Sequence, residues 1–166
     1  MSTLSFRLAT EADTQALLKL RLAIDTDQAE HFGDDRYATT ISEKSVARSL
    51  KSSRILVATR RGRIVGLVSM GTKKPWAVDL KYFTAACKAV YLYNVDVDPE
   101  LQRSGIGRQL VDRVKAMAKE WPVDAIRLDA YDGAAGAGPF YEKCGFKKLG
   151  HRLYRGVPLV YYECVF

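Results

Sequence analysis

Two glycines, Gly105 and Gly107, stand between an apolar block and an amphipathic run, in an order suited to binding an anion. The block is Val90-Tyr91-Leu92-Tyr93-Asn94-Val95-Asp96-Val97, rich in β-branched and aromatic residues and closed by Asp98-Pro99, so it reads as a strand. From Ile106 onward, Leu110, Val111, Val114, Met117 and Ala118 recur at helical spacing, with Arg108, Asp112, Lys115 and Lys119 on the other face. A strand feeding a turn that opens a helix gathers free N–H groups at one spot, and the helix dipole adds partial positive charge there. Side chains in place of the two glycines would block a ligand's approach to the backbone. The chemistry expected at this turn is the capture of a phosphate group.

Two common phosphate loops do not fit. A Walker loop needs Lys and then Ser or Thr after its last glycine, and Gly107 is followed by Arg108-Gln109. A dinucleotide fingerprint needs three glycines and a later acidic residue. What stands here is Gln102-x-x-Gly105-x-Gly107, preceded by Val97-Asp98-Pro99 and followed by Arg108-x-Leu110. This resembles the acetyl-CoA motif of the GNAT family of N-acetyltransferases. Phe140-Tyr141-Glu142-Lys143-Cys144-Gly145-Phe146 resembles that family's second signature, so the likeness spans Val90 to Phe146.

The resemblance implies that the main chain of Val95, Asp96 and Val97 pairs with the pantetheine amides of acetyl-CoA. Arg103, Ser104, Gly105, Ile106, Gly107 and Arg108 would wrap its diphosphate. A strand edge holds an amide-bearing arm as it would another strand, and amides with Arg cations suit a diphosphate. The implied reaction is direct attack of a neutral primary amine, from a small molecule or peptide, on the thioester carbonyl. It needs a proton acceptor, an oxyanion donor and an acid for the leaving thiolate. A backbone N–H near Val95 to Val97 suits the oxyanion, and Tyr141 matches the family tyrosine that protonates the sulfur. Asp129 stands where related N-terminal-amine acetyltransferases carry Glu, which makes it a candidate base, with a surface carboxylate, or one paired with Arg127, as the competing readings. Asp96 is a second candidate base, the alternative being a bulge residue with its side chain in solvent. Tyr91 falls where histone-type members hold their base, and Ala134 stands where an Asn is common. Those departures sustain an alternative, a non-catalytic acyl-CoA-binding sensor on the same fold. Cys144 lacks a neighbouring His and reads as a packed helix-end cysteine rather than a nucleophile.

The elements that must hold these residues follow from the rest of the chain. At 166 residues with 48% hydrophobic content, one domain over residues 1–166 is expected. No apolar run is long enough to span a membrane, and Met1 to Arg7 lacks the apolar core of a signal peptide, so a cytoplasmic location is expected. Cys87, Cys144 and Cys164, with only His31 and His151, suggest neither a disulfide framework nor a metal. The net charge of +7 raises nucleic acid as a partner, but no RNP-type or helix-turn-helix pattern accompanies it, and the basic clusters read as solvated turns. The resemblance allows a homodimer.

In order, Leu4 to Leu8 reads as a strand, and a helix carrying Ala16, Leu17, Leu20 and Ile24 is expected to end near Asp25. Thr26 to Tyr37 reads as a polar loop whose acidic residues hint at a cationic acceptor. A helix over Ser42 to Leu50 precedes a hairpin, Arg54–Thr59 and Ile64–Met70. Gly71 to Ala89 fits no period and reads as an insertion in which Trp76 and Phe83 are either functional or lids over core. Val123 to Tyr131 is a strand with Arg127, Asp129 and Tyr131 on its polar face, and a short helix at Phe140 to Cys144 leads to closing strands at Phe146–Leu149 and Leu159–Phe166. This order gives an α/β or α+β sheet of mixed direction. With the family resemblance it becomes a mostly antiparallel sheet of about seven strands, flanked by about four helices and splayed at its central strand.

Overall fold

The computed structural model describes residues 3–36, 40–85 and 87–166. Seven strands run β1 (Ser5–Leu8), β2 (Arg54–Arg60), β3 (Arg63–Gly71), β4 (Ala89–Val97), β5 (Ala125–Tyr131), β6 (Lys147–Tyr154) and β7 (Val157–Val165). The helices are α1 (Thr14–Phe32), α2 (Glu43–Ser52), α3 (Ile106–Lys119) and α4 (Gly138–Lys143). The strands form one sheet in the order β1-β2-β3-β4-β5-β7-β6, and β4 with β5 is the parallel pair in an otherwise antiparallel set. The expected mixed, splayed sheet is what the chain builds.

The splay has a residue-level cause. β4 meets β5 only at Ala89↔Ala125, Val90↔Ile126 and Tyr91↔Arg127, whereas it stays paired with β3 as far as Gly66↔Val97. Beyond Tyr91 one edge of β4 therefore faces a gap instead of a neighbour. The β3–β4 register also slips, from Met70↔Leu92 to Ser69↔Asn94, which leaves Tyr93 as the extra residue of a bulge. A bulge reverses which parity faces which side. Val90 and Leu92 before it and Val95 and Val97 after it all pack against the cluster that α3 closes with Ile106, Leu110, Val111 and Val114. Asn94 and Asp96 consequently turn to the opposite face.

On that opposite face Leu17, Leu20 and Ile24 of α1 and Val46 of α2 cover Ile55, Val57, Ile64 and Leu67. Each such fully buried aliphatic side chain contributes about 1.5–3 kcal/mol of transfer free energy. Ser42 caps α2 by accepting from the Ser45 N–H at 3.1 Å, and the Ser45 hydroxyl accepts in turn from the Ser42 N–H at 2.9 Å. α4 joins the α3 side through Tyr141 and, just past its end, Cys144 and Phe146.

Two expectations about the elements need correction. α1 does not end near Asp25. It continues through the presumed polar loop to Phe32, held by its own i→i+4 contact between Asp27 and His31, and stops at Gly33, whose N–H donates to Ala29 at 3.0 Å. Tyr37, the far end of that expected loop, lies outside the described residues, as do Met1, Ser2 and Ala86. The closing strands are longer than expected and meet in a tight hairpin at Arg155-Gly156. β6 is an edge strand, and the cations along it, Lys147, Lys148 and Arg152, are those of a sheet edge that resists pairing with other chains.

The segment between β3 and β4 divides its two aromatics. Phe83 is buried with Val78, Tyr91 and Tyr161, while Trp76 remains 83% exposed. The segment is fastened by a buried ion pair: Arg127 Nε donates to Glu163 Oε2 at 2.8 Å, its other guanidinium nitrogen donates to the Thr84 carbonyl at 2.7 Å, and Thr84 donates back to Glu163. Burial pulls the Arg127 guanidinium down, but Glu163 and Tyr91 outweigh it and hold its pKa above the ordinary value. Arg127 is thus committed to Glu163, which removes the pairing with Asp129.

Candidate active site

The gap beside β4 opens into a cleft of about 870 Å³. Val95, Asp96 and Val97 line one wall, and Arg103, Gly105, Ile106, Gly107 and Arg108 line the end where β4 gives way to α3. Ser104 does not line it, and its hydroxyl is turned back to the Leu101 carbonyl. The turn between them is braced by Asp98, which accepts from the Glu100 N–H at 3.0 Å and from the Arg63 guanidinium, and by Gln102 Nε2, which donates to the Val97 carbonyl at 3.3 Å. That bracing gives Asp98 and Gln102 of the motif a structural job.

Gly105 has φ +88°, a left-handed conformation that L side chains rarely adopt. The first main-chain bond of α3 runs from the Gln109 N–H to the Gly105 carbonyl at 3.1 Å, so the amides of Ile106, Gly107 and Arg108 precede the ladder and have no helical acceptor. A Cβ at Gly107 would stand 3.3 Å from the Phe140 ring and 3.5 Å from Val97 Cγ2. Its absence lets the first turn of α3 sit close to β4 and α4. With Arg103, Arg108 and Lys143 around it, this end of the cleft suits a diphosphate, and the unpaired edge of β4 suits an extended amide-bearing arm. The residues present fit coenzyme A.

Two groups of lining residues escaped sequence reasoning. Ile24 and Gln28 of α1, one turn apart, both reach the cleft, Gln28 because the helix runs past Asp25. Pro139, Phe140 and Lys143 of α4 form the opposite wall.

Tyr141 is buried among Phe140, Phe146 and Tyr162, with ring centroids 5.2, 5.9 and 5.9 Å away. Among the described residues, nothing hydrogen-bonds its hydroxyl. Burial first, then the nearby Asp96, Asp129 and Cys144, push the phenol far above its ordinary pKa, so it keeps its proton. Both candidate carboxylates act on that phenol through their charge; Asp96 lines the cleft, whereas Asp129 and Tyr141 are not among its lining residues. Asp96 is not the bulge residue, and its side chain is not in solvent: it faces α1, with Arg21 Nε 3.9 Å from its Oδ2. Burial raises its pKa and Arg21 opposes the rise. Burial also raises Asp129, with no cation opposing. Cys144 is buried, and that burial raises its thiol against the pull of Arg108 and Lys115, which makes it a poor nucleophile.

The acidic residues near the end of α1 are largely engaged within the chain. Asp25 pairs with Arg36, Asp27 with His31, and Asp35 accepts from the Tyr131 hydroxyl at 2.7 Å. Only the last of these ties the end of α1 to β5, and the engagement of all three carboxylates weakens the hint of a cationic acceptor. Among the described residues no group of three His, Cys, Asp or Glu side chains is placed to hold a metal ion, and no helix is long and apolar enough to cross a membrane.

A family model described as the acetyltransferase (GNAT) domain matches residues 21–166. A ribosomal-protein-alanine N-acetyltransferase from Brucella melitensis is 23% identical and superposes with a TM-score of 0.71 over 98% of this chain and 99% of that one. The ribosomal-protein-S18-alanine N-acetyltransferase from Escherichia coli is 18% identical, with a TM-score of 0.71 over 98% of this chain and 94% of that one. A protein from Salmonella typhimurium solved with its cofactor acetyl-CoA is 18% identical, with a TM-score of 0.66 over 98% and 93% of the two chains. At these identities the likeness shows a shared fold. No protein of curated function matches the sequence.

Proposed function

This chain belongs to the GNAT acetyltransferase family, and on that premise we propose that residues 1–166 form a single N-acetyltransferase domain acting on a primary amine of a small molecule or peptide. The observation that carries the reading is the continuity of one cleft from the unpaired edge of β4 to the free amides of Ile106, Gly107 and Arg108. Acetyl-CoA supplies an activated acyl group as its thioester. The β4 edge at Val95 to Val97 binds the arm, and the α3 amides with Arg103 and Arg108 bind the diphosphate. Ser104 supports the turn through Leu101.

Asp129 serves as the base. Its raised pKa makes it a better proton acceptor than an exposed carboxylate, and it lacks the guanidinium that holds Asp96. Tyr141, kept protonated, gives the proton that the departing thiolate needs. The peptide-acetylating relatives support an acceptor with a free amino terminus.

A thiol-release assay with acetyl-CoA and a panel of amines tests the reading. Amine-dependent release supports it, while tight cofactor binding with no release from any amine favours the sensor. The base makes a narrower prediction. As pH falls through the raised pKa of Asp129, the carboxyl takes up its proton and can accept no other, so kcat/KM declines. Asp129→Asn removes that acidic limb and costs about tenfold near neutrality, less than the ~10²-fold or more of a sole base because solvent shares the proton. An acidic limb that survives the substitution rules Asp129 out.

A further inference from the structure

A second cavity, of about 800 Å³, lies at the other end of the sheet. It is bounded by the C-terminal ends of α2 and β3, the first residues of β2 and β4, and the connection from α3 to β5. None of its residues belongs to the cleft at the glycine turn. Its apolar floor is formed by the half-buried Ala89, Trp121 and Val123, laid over the fully buried Met70 and Val90. Its rim carries three cations, Lys51, Arg54 and Lys88. None of the three forms an ion pair with a described residue. Arg54 is instead laid over the Trp121 ring, 5.1 Å from its centroid, which holds a planar guanidinium at the mouth.

The opposing charges are accounted for. The ends of α2 and α3 bring partial negative charge, and Lys51, in the last turn of α2, answers the first of them. Arg54 and Lys88 lie beyond both helices and exceed that need. No carboxylate is among the lining residues; Glu120 and Asp124 flank them on the connection, and Asp124 accepts from the Lys88 main-chain N–H at 2.9 Å. An apolar floor under an excess of cationic groups complements a molecule with the opposite pattern, and the volume is that of an ordinary small-ligand site.

We propose that this cavity binds an amphipathic carboxylate, its acid group on Arg54 and Lys88 and its hydrocarbon body against Ala89, Trp121 and Val123. The assignment is independent of the acetyltransferase reading, since it uses no residue of that cleft. Octanoate is the probe, and the two tryptophans supply the readout, because Trp121 lines the cavity while Trp76 stands exposed outside it. In a proton–nitrogen spectrum of the whole chain, titrated octanoate shifts the Trp121 indole signal saturably and leaves that of Trp76 in place. Octylamine, with the charge reversed, does not. The double variant Arg54→Gln, Lys88→Gln, at two exposed positions, weakens the octanoate response by about tenfold or more while circular dichroism shows the fold kept. An unmoved Trp121 signal at millimolar octanoate, an equal response to octylamine, or undiminished binding by the double variant overturns the proposal.

Discussion

Gly105→Val is expected to weaken acetyl-CoA binding by at least ~100-fold, about 2.7 kcal/mol, while the chain still folds. The residue stands at φ +88°, where a β-branched side chain is strained by about 1–2 kcal/mol or more. The turn can relieve that strain by leaving the left-handed region. Doing so re-aims the amides of Ile106, Gly107 and Arg108, which point at one spot only while Gly105 keeps its present conformation. A Cβ at Gly105 meets no other atom within 4 Å, so packing elsewhere is untouched and the damage stays at the turn. Calorimetry with acetyl-CoA measures the loss, and circular dichroism checks the fold. A dissociation constant within threefold of the unaltered chain would show that the turn does not grip the cofactor.

The second large effect separates chemistry from binding. Tyr141→Phe keeps the ring that packs against Phe140, Phe146 and Tyr162 and removes a hydroxyl that no described residue hydrogen-bonds. Stability and cofactor affinity should therefore stay close to those of the unaltered chain. Turnover should fall by about 10²-fold or more, the usual contribution of a positioned general acid, because the thiolate then leaves without a proton from the protein. Asp129 remains in place, so the pH profile keeps its acidic limb and only its height drops. A kcat within twofold of the unaltered chain would strip Tyr141 of this role.

The strand, turn and helix from Val90 to Lys119 were legible because each announces itself locally, through β-branched residues, Asp-Pro, two glycines and an apolar stripe. Features set by pairing were not. The bulge at Tyr93 arises from a slip against Ser69 and Met70, a contact that no stretch of sequence displays, and it decides that Asp96 faces α1 and Arg21. Likewise Arg127 sits two residues from Asp129 on the same face of β5, which made their pairing plausible. The partner it takes, Glu163, comes from β7, where Arg127 and Glu163 are direct cross-strand neighbours.

The extension of α1 was hidden for a different reason. Past Ile24 the helix has no apolar stripe, because this end covers a cleft rather than core, and periodicity signals only what is buried against core. The same functional placement that made Gln28 a lining residue erased its pattern. β6 reads shorter from sequence because adjacent Lys147 and Lys148, then Gly150 and Arg152, leave this edge strand without an apolar alternation.

The most direct test is a crystal structure of the chain grown with acetyl-CoA. The expected result is the diphosphate seated on the amides of Gly105 to Arg108, with the pantetheine arm beside Val95 to Val97 in the gap between β4 and β5. Electron density for the cofactor elsewhere, or a turn whose amides are closed by the chain's own side chains, would contradict the account.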